Sequence, residues 1–335
     1  MGMFDIKEVY RADEKRYGTM TYRRSGRSGV LLSAVALGLW HNFGGYDVYD
    51  TARDTVRRAF DLGVTYFDLA NNYGPPFGSA EETFGRILHQ DFLPYRDEMF
   101  IATKAGYTMQ PGPYGRGGSR KYLLASLDAS LKRMGLDYVD LFYHHCMDPD
   151  TPLEESMGAL AQAVHSGKAL YVGLSNYSPE QAEKAVKLLD SMGVHCLIEQ
   201  SRYNMVAREP EQGLLPVLRE NGVGFSAFSP LAQGILTGKY NGGIPEDSRL
   251  HGKSIYLTKE KLSPVIDQVR RLGDLAAQAG IPLTEMALRW ALRDPAVTTL
   301  IVGARTPEQL EQNVRAVEAG QLDAALLGQI DTILA

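Results

Sequence analysis

The sequence of 335 residues contains only two cysteines, Cys146 and Cys196. Small domains that are held together by disulfides use many more. The N-terminal stretch up to Lys15 is mixed and charged, and it does not resemble a secretory signal. We therefore expect both thiols to be reduced inside the cell, and we assign them neither a disulfide nor a metal.

Long apolar runs and blocks of like charge are also lacking. No run approaches the roughly 20 apolar residues that a membrane-spanning helix needs. The 35 basic and 40 acidic side chains are interspersed and leave a net charge of −5. Such a balance argues against a nucleic-acid surface and against a basic membrane-binding face. We expect a cytoplasmic protein that binds neither nucleic acid nor membrane.

Short apolar runs alternate with amphipathic stretches along the whole chain. Runs of this length with few polar residues are typical of parallel strands that are buried on both faces. No G-x-G-x-x-G fingerprint follows the early runs, which disfavours a doubly wound open sheet. The pattern predicts an α/β fold, a closed (β/α)₈ TIM barrel. Its eight strand candidates are Ala34–Leu39, Val64–Leu69, Met99–Thr103, Val139–Tyr143, Ala169–Leu174, Leu197–Glu199, Val223–Phe228 and Thr298–Val302.

The chain is long enough for one barrel domain, which we place at residues 20–335 after an N-terminal segment of residues 1–19. Met20–Arg24 and Val30–Ser33 flank a glycine-containing turn and predict a small hairpin across the bottom of the barrel. Two long glycine-rich loops, residues 107–118 and 232–258, follow strand ends. We interpret them as candidate lids over a ligand.

Several helix boundaries are visible in the sequence. A hydroxyl residue followed three positions later by an acidic or amide residue predicts a capping box. This pattern begins at Ser79, Thr151, Ser178 and Thr306. Gly135 follows a helical run that buries leucines, where it predicts a left-handed C-cap.

Four polar residues fall where apolar strands end, namely Asp68, Tyr73, Lys104 and His145. In a (β/α)₈ barrel these ends converge on one pocket. A lysine cation there would stabilise a tyrosine phenolate, and the aspartate would keep the lysine charged. The histidine would then donate a hydrogen bond to a carbonyl oxygen while Tyr73 supplies a proton. With no nucleophile or metal signature in view, reduction by an external hydride donor such as nicotinamide is indicated.

These residues match, in order and spacing, the catalytic tetrad of the aldo-keto reductase superfamily, which the chain resembles over nearly its whole length. Within the family, the chain is similar to bacterial L-glyceraldehyde 3-phosphate reductases and to voltage-gated potassium channel β subunits. The segments that carry this resemblance are residues 38–44, 71–76, 112–115 and 228–234. The resemblance implies that Tyr73 is the proton donor, that Asp68 and Lys104 tune it, and that His145 orients the carbonyl. It also implies a homo-oligomer, a tetramer or larger.

The resemblance further implies a cofactor, NADPH or NADP⁺, lying around the barrel mouth. Ser175, Asn176 and Gln200 match positions that hold the nicotinamide carboxamide, and Phe228 matches a stacking aromatic residue. The remaining positions implied in cofactor binding are Trp40, Asp68, Ser229, Pro230, Leu231, Gln233, Gly234, Lys239, Arg249, Gly303, Arg305, Gln309 and Asn313.

The chain departs from the family pattern in two places. Phe228 stands where many members have Trp or Tyr, a change that keeps stacking but removes the polar atom. Gly303-Ala304 and Gln309 replace two expected cations at the adenosine end, where Arg305 is the candidate to compensate. A preference for NADPH over NADH rests on these cations.

Each of these residues also has a structural interpretation. His144 and His145 point to opposite faces of a strand, so only one can serve, and alignment with the family selects His145. Trp40 is either barrel packing or a wall of the substrate cleft, beside Tyr73 and His145. Arg116 and Arg120 are either solvated loop charges or contacts to a substrate phosphate.

Three functions stay open from the sequence. The first is an enzyme that reduces a small aldehyde or ketone, for example glyceraldehyde 3-phosphate or methylglyoxal. The second is a nicotinamide-binding redox sensor with vestigial catalysis, which the channel-subunit resemblance implies. His145 stands where those subunits carry Asn, a difference that disfavours the sensor. The third is an isomerase or aldolase that uses Lys104 as a Schiff-base amine.

Overall fold

The computed structural model describes residues 9–238 and 265–335. Eight parallel strands close into a barrel in the order β10-β3-β4-β5-β6-β7-β8-β9, with helices outside, which confirms the predicted (β/α)₈ fold. The strands are Tyr22–Arg24 (β1), Leu31–Ser33 (β2), Val35–Gly38 (β3), Tyr66–Asp68 (β4), Phe100–Ala105 (β5), Val139–His144 (β6), Ala169–Ser175 (β7), Cys196–Arg202 (β8), Gly224–Phe228 (β9) and Val297–Val302 (β10).

Helices lie between the strands and after the last one. They are Tyr49–Asp61 (α1), Ser79–Ile87 (α2), Arg120–Met134 (α3), Leu153–His165 (α4), Pro179–Ser191 (α5), Leu214–Asn221 (α6), Ile266–Gln278 (α7), Leu283–Ala291 (α8), Pro307–Glu318 (α9) and Ala324–Leu334 (α10). In the two described stretches, no helix has both the length and the apolar character needed to cross a membrane.

The strands β1 and β2 pair antiparallel as the predicted hairpin. Leu32 on β2 is fully buried and packs with Ala36 and Tyr66 in the cluster that fills the barrel interior. The Ser25 hydroxyl of the same hairpin donates to the Leu197 carbonyl at 2.9 Å. The hairpin therefore closes the barrel at the N-terminal ends of its strands.

Successive residues of each barrel strand alternate between two faces. On β6, Leu141 and Tyr143 belong to the cluster inside the barrel, whereas Phe142 belongs to the cluster between barrel and helices. We call these the inner face and the outer face. This alternation decides which polar residues reach the pocket and which lie behind the barrel wall.

Two of the predicted caps form. Ser178 makes a full capping box, in which its hydroxyl accepts from the Gln181 amide and the Gln181 side chain accepts from the Ser178 amide. Thr306 accepts from the Gln309 amide, but the Gln309 side chain accepts from the Arg305 amide, so half of the box is present. Gly135 ends α3 with φ of 67°, which confirms the left-handed C-cap.

The caps predicted at Ser79 and Thr151 are wrong. The Ser79 hydroxyl donates to the Pro76 carbonyl at 2.6 Å, and α2 begins after Gly78 without a side-chain cap. The Thr151 hydroxyl donates to the Asp148 carboxylate at 2.7 Å, and α4 begins after Pro152. In both loops the hydroxyl residue does not stand at the N-cap position, which Gly78 and Pro152 occupy instead.

The two ends of the first candidate lid, residues 107–118, are joined by backbone hydrogen bonds. The Gly117 amide donates to the Gly106 carbonyl at 2.8 Å, and the Met109 amide donates to the Gly115 carbonyl at 2.9 Å. Of the second candidate lid, residues 239–258 lie outside the described residues. Cys146 and Cys196 are both free thiols.

Candidate active site

Three of the four predicted tetrad residues are buried on the inner face at the C-terminal ends of neighbouring strands. Asp68 ends β4, Lys104 lies near the end of β5, and His145 directly follows β6. The parallel register pairs Asp68 with Ala102 and Lys104 with Tyr143, which fixes their relative heights. Tyr73 approaches from the loop after β4, so all four residues meet at the barrel mouth.

The ammonium group of Lys104 is the centre of this arrangement. Its Nζ donates to Asp68 Oδ2 at 2.6 Å, to the Leu69 carbonyl at 2.8 Å and to the Tyr73 hydroxyl at 3.3 Å. Burial lowers the pKa of Lys104, and the Asp68 carboxylate opposes that shift. Three donors with three acceptors match a charged ammonium, which has no lone pair with which to form a Schiff base.

The other oxygen of Asp68 is held from the far side of the barrel. Gln200 Nε2 donates to Asp68 Oδ1 at 2.9 Å, and the Tyr66 hydroxyl donates to the same oxygen at 3.2 Å. The Tyr66 hydroxyl is also 2.8 Å from that of Tyr143. Burial raises the pKa of both tyrosines well above the ordinary value, so both stay neutral donors. Asp68 is thus fixed as a carboxylate with two further hydrogen bonds.

Tyr73 and His145 face each other across the pocket. Their ring centroids are 6.0 Å apart at an interplanar angle of 71°. Burial and the nearby Lys104 lower the pKa of His145 well below the ordinary value. The imidazole is therefore neutral and can donate a hydrogen bond without carrying a charge. A carbonyl oxygen between the two rings would meet one proton donor and one hydrogen-bond donor.

His144 lies on the outer face of the same strand end. Its Nδ1 is hydrogen-bonded with the Tyr177 hydroxyl, behind the barrel wall. Burial lowers its pKa to about 4. The geometry therefore gives His145 the pocket position, as the family resemblance implied, and gives His144 a contact to the loop after β7.

Aromatic rings line the pocket around Tyr73. The ring of Trp40 is 6.3 Å from that of Tyr73 and stacks on His41 at 4.2 Å, a position suited to a wall of the cleft. Tyr107, which sequence reasoning did not select, has its ring 4.6 Å from that of His145. The sequence signal that could have identified Tyr107 is its position, an aromatic residue two positions after the end of β5.

Ser175, Asn176 and Gln200 come together where β7 and β8 end. The Ser175 hydroxyl donates to the Gln200 carbonyl at 2.8 Å, and Asn176 Nδ2 donates to the His145 carbonyl at 3.1 Å. Asn176 has a left-handed backbone with φ of 58°. Because Gln200 Nε2 bonds to Asp68, Gln200 links this group to the tetrad, a connection that the sequence did not reveal.

The turn after Phe228 has an unusual backbone. Ser229, Ala232, Gln233 and Gly234 all have positive φ, from 47° to 93°. Pro230 and Leu231 lie between them, and the Leu231 carbonyl accepts from the Gly234 amide at 2.9 Å. The Ala232 amide likewise donates within the turn, to the Ser229 carbonyl at 2.9 Å. Backbone N–H groups that such a turn leaves facing outward are suited to an anion such as a pyrophosphate.

The predicted adenosine end lies beyond β10. An added Cβ at Gly303 would meet nothing within 4 Å, which leaves its surface open to a ligand. Arg305 is exposed, and its amide donates to Gln309 Oε1 at 2.8 Å. Asn313 is 3% exposed, and its Nδ2 is buried without a hydrogen-bond partner among the described residues. Lys239 and Arg249, also predicted to hold the cofactor, lie outside the described residues.

The two candidate phosphate-binding arginines differ in their surroundings. Arg120 donates to the Gly158 carbonyl and to Gln162 Oε1, both at 3.3 Å, which directs it onto α4. Arg116 is exposed on the loop of residues 107–118. Its positive charge lowers the pKa of the Cys146 thiol, which lies beside His145. Burial nevertheless raises the pKa of Cys146 to about 11, so this cysteine is an unreactive thiol at neutral pH.

The chain as a whole is similar to a known protein family and to several known proteins. The model of the Aldo/keto reductase family matches residues 34–335. L-glyceraldehyde 3-phosphate reductase from Escherichia coli K12 is 55% identical over 332 residues, which cover 98% of this chain and 96% of that protein. A putative voltage-gated potassium channel subunit beta from Schizosaccharomyces pombe is 39% identical over 93% of each chain. A probable subunit of the same kind from Arabidopsis thaliana is 36% identical over 89% of this chain and 92% of its own.

Proposed function

This chain belongs to the aldo/keto reductase family of oxidoreductases, and from that premise we propose that it reduces the carbonyl of a small aldehyde or ketone with NADPH. The observation that carries the proposal is the inner-face network of Asp68, Lys104 and Tyr73 opposite the neutral His145. It provides a proton donor, a cation that stabilises its conjugate base, and a hydrogen-bond donor for the carbonyl.

In the proposed reaction Tyr73 protonates the oxygen of the substrate as it becomes an alkoxide. A free tyrosine, with a pKa near 10, is a poor acid at neutral pH. The Lys104 ammonium, 3.3 Å from the Tyr73 hydroxyl, stabilises the phenolate that remains. His145 orients the carbonyl by donating a hydrogen bond, and its neutral state avoids a second proton transfer.

NADPH would supply the hydride, and the described residues fit its binding. Ser175 and Asn176 would hold the nicotinamide carboxamide, and Phe228, half-buried at the end of β9, would stack on the ring. The left-handed residues 229–234 would take the pyrophosphate. Arg305 and the unpartnered amide of Asn313 would face the adenosine end. A preference for NADPH over NADH would rest on Arg305 together with Lys239 and Arg249.

For the substrate we propose a small phosphorylated or polar aldehyde, with glyceraldehyde 3-phosphate first and methylglyoxal second. The relative that is 55% identical is named for the first of these. Arg116 supports this choice, because it is an exposed cation on the loop beside His145 and Cys146. Trp40 and Tyr107 would form the apolar walls of the cleft.

The test is NADPH oxidation followed by absorbance, with DL-glyceraldehyde 3-phosphate and methylglyoxal as substrates and NADH as the control cofactor. We expect turnover with both aldehydes and a lower KM for NADPH than for NADH. Tight NADPH binding with negligible turnover over a wider aldehyde panel would contradict the proposal.

A second candidate is a nicotinamide-binding subunit that reports redox state to a partner. It is favoured by the two relatives named as channel beta subunits. The measurement that separates the two is single-turnover oxidation of bound NADPH, which a sensor would perform very slowly. Light scattering on the same sample would test the proposed homo-oligomer, and fractionation of cells would test the proposed cytoplasmic location.

A further inference from the structure

Glu199 is a buried acid that the proposed mechanism does not use. It precedes Gln200 on β8, faces the outer side of the barrel wall and has no exposed surface. Its strand neighbours in the register are Leu174 on β7 and Phe225 on β9. The helix α5, which packs on β8, presents apolar residues to this side. The carboxyl group therefore lies in a largely apolar layer.

One oxygen of this carboxyl is engaged and the other is not. The Ser201 hydroxyl donates to Glu199 Oε1 at 2.7 Å, and the Tyr177 amide lies 3.5 Å from the same oxygen. Within the described part of the chain, Oε2 is buried without a partner. An isolated carboxylate is very costly to bury, so this geometry favours the protonated, neutral form.

The titratable groups that face Glu199 do not change this conclusion. They are Tyr177 on the loop after β7 and Cys196 on β8, and Tyr143 on the inner face of β6 acts on Glu199 only through the barrel wall. None of the three is a cation. Burial raises the pKa of Cys196 to about 12 and raises that of both tyrosines further, so all stay neutral. Burial likewise raises the pKa of Glu199 to about 8.

The turn formed by Ser175, Asn176 and Tyr177 lies directly against Glu199. The Ser175 hydroxyl and the Asn176 amide both donate to the Gln200 carbonyl, at 2.8 Å and 3.1 Å. Asn176 holds the left-handed backbone in the middle of the turn, a conformation that persists only where neighbours enforce it. The turn is thus fastened to β8 at Gln200, the residue that directly follows Glu199.

We propose that Glu199 is a positioning residue for the nicotinamide end of the cofactor, and that its neutral carboxyl holds the 175–177 turn in the shape that presents Ser175 and Asn176. This inference rests on the proposed function, since it concerns the same cofactor site. Loss of the Glu199 proton creates a buried negative charge under the turn. The donors to this carboxyl, the Ser201 hydroxyl and the backbone amides of the turn, offset only part of the cost of burying the charge, because Oε2 has no partner among the described residues. Opening of the turn admits water to Oε2, and the turn then no longer presents its polar groups to the carboxamide.

The test is the dissociation constant of NADPH, measured by fluorescence titration from pH 7 to pH 9.5 at constant ionic strength. In the wild-type protein we expect Kd to rise about tenfold per pH unit above about pH 8. In Glu199→Gln, which is neutral at every pH, we expect Kd to change less than twofold over the range. Glu183→Gln on the exposed side of α5 is the matched control and is expected to follow the wild-type curve.

Two further measurements locate the effect. Adenosine 2′,5′-bisphosphate lacks the nicotinamide, so its affinity for the wild-type protein should not change over the same pH range. Glu199→Leu cannot accept from Ser201, and its NADPH affinity should fall about tenfold at pH 7. If Glu199→Leu does not fold, the Glu199→Gln profile alone decides the proposal.

The outcomes against the proposal can be told apart. A wild-type Kd that is constant to pH 9.5, a Glu199→Gln curve that follows the wild type, or a parallel loss of adenosine 2′,5′-bisphosphate binding would overturn the inference and leave the proposed function standing. Failure of the wild-type protein to bind NADPH or NADH at any pH would overturn both.

Discussion

The inner and outer faces of the barrel wall carry different kinds of polar residue at the same height. On the inner face, Asp68, Lys104 and His145 meet in one network with Tyr73. On the outer face, the strand residues next to Lys104, His145 and Gln200 are Thr103, His144 and Glu199, all buried. Each of these three outer-face residues is hydrogen-bonded to a hydroxyl or carboxyl group that also lies behind the barrel wall.

The two faces differ in what their bonds achieve. The inner-face bonds lead from Asp68 through Lys104 to the Tyr73 hydroxyl and hold a charge of each sign near it. The outer-face bonds fasten neighbouring elements together, as Thr103 on β5 does with Glu81 on α2, and His144 on β6 with Tyr177 after β7. We propose that the inner face performs the chemistry and that the outer face fixes its geometry.

Loss of the Lys104 cation should give the largest effect. Lys104→Met is expected to lower kcat by about 10²–10⁴-fold, since Tyr73 then lacks the charge that stabilises its phenolate. It also leaves the buried Asp68 carboxylate unpaired, at a cost of about 3–5 kcal/mol in the free energy of unfolding. Steady-state kinetics and urea denaturation measure the two losses.

The matched control for that experiment is the double variant Asp68→Asn/Lys104→Met. Removing both charges should restore much of the lost stability but none of the activity. Recovery of activity in the double variant would show that Lys104 acts through folding alone, against the role given to the inner face.

The adjacent histidines provide the most direct contrast between the faces. His145→Gln is expected to lower kcat/KM by about 10²-fold, and His144→Gln by less than tenfold, because only His145 faces Tyr73. The lowered pKa of His145 further predicts a pH-rate profile with no histidine step between pH 5.5 and 7.5. Equal losses in the two variants, or a step near pH 6.5 that vanishes in His145→Gln, would contradict the assignment.

The same contrast shows what the sequence could and could not predict. Period-two alternation predicted that His144 and His145 lie on opposite faces, and the structure has His145 opposite Tyr73 and His144 behind the barrel wall. The functional role of His145, which the family resemblance implies, stays a prediction. The strands, the barrel and the bottom hairpin were also predictable from apolar runs and turns. These features depend on local pattern, which a sequence displays directly.

Features that depend on contacts distant in sequence were not predictable. Loop shape was not predictable either: Thr151 lies one residue before Pro152, which occupies the N-cap position of α4. The bond from Gln200 to Asp68 spans 132 positions. The burial of Glu199 depends on α5 and the flanking strands, which no pattern within β8 reveals.

A buried pair between α2 and α3, which contacts the outer face through Thr103, should affect stability far more than activity. Glu81 is fully buried and pairs with Arg133, with 2.6 Å between Oε2 and Nε. Glu81→Gln is expected to lower the free energy of unfolding by about 3 kcal/mol, with a change in kcat below tenfold. Chemical denaturation and saturating kinetics check both numbers. A loss of kcat as large as that of Lys104→Met would contradict the claim that the two faces have different roles.

Two outer-face residues should make stability depend on pH with opposite signs. The pKa of His144 is lowered to about 4 in the folded protein, so as pH falls this residue binds a proton in the unfolded chain before it does in the folded one. Its contribution to the free energy of unfolding is therefore fully present above about pH 6.5 and is lost as pH falls toward 4. Glu199, with its pKa raised to about 8, keeps its proton longer when folded, so stability falls as pH rises from about 4.5 to 8. Each slope is about 1.4 kcal/mol per pH unit.

Denaturation series across pH test these slopes with two variants. The two contributions oppose each other where they overlap, so each is measured as the difference in stability between the variant and the wild type. For His144→Gln this difference should change with pH between about pH 4 and 6.5, and for Glu199→Gln between about pH 4.5 and 8. If either variant left both slopes unchanged, the corresponding group would not be buried in its neutral form.

The smallest expected effect concerns a residue that belongs to neither face. Arg116→Ala on the loop of residues 107–118 should raise KM for glyceraldehyde 3-phosphate about three- to tenfold and leave KM for methylglyoxal unchanged, because an exposed charge contributes about 1 kcal/mol. Arg120→Ala, directed onto α4, is the matched control. Equal KM changes for both aldehydes would exclude Arg116 as a phosphate contact.

The most direct test of the central claim is single-turnover oxidation of pre-bound NADPH by glyceraldehyde 3-phosphate in Tyr73→Phe. The substitution keeps the packing of the aromatic ring and removes only the hydroxyl that lies 3.3 Å from Lys104. We predict an unchanged Kd for NADPH and a rate at least about 100-fold below that of the wild type and of the control Tyr171→Phe, whose ring stacks on Phe100 near the N-terminal ends of the strands. A Tyr73→Phe rate equal to that of the wild type would contradict the claim that the inner face delivers its proton through Tyr73.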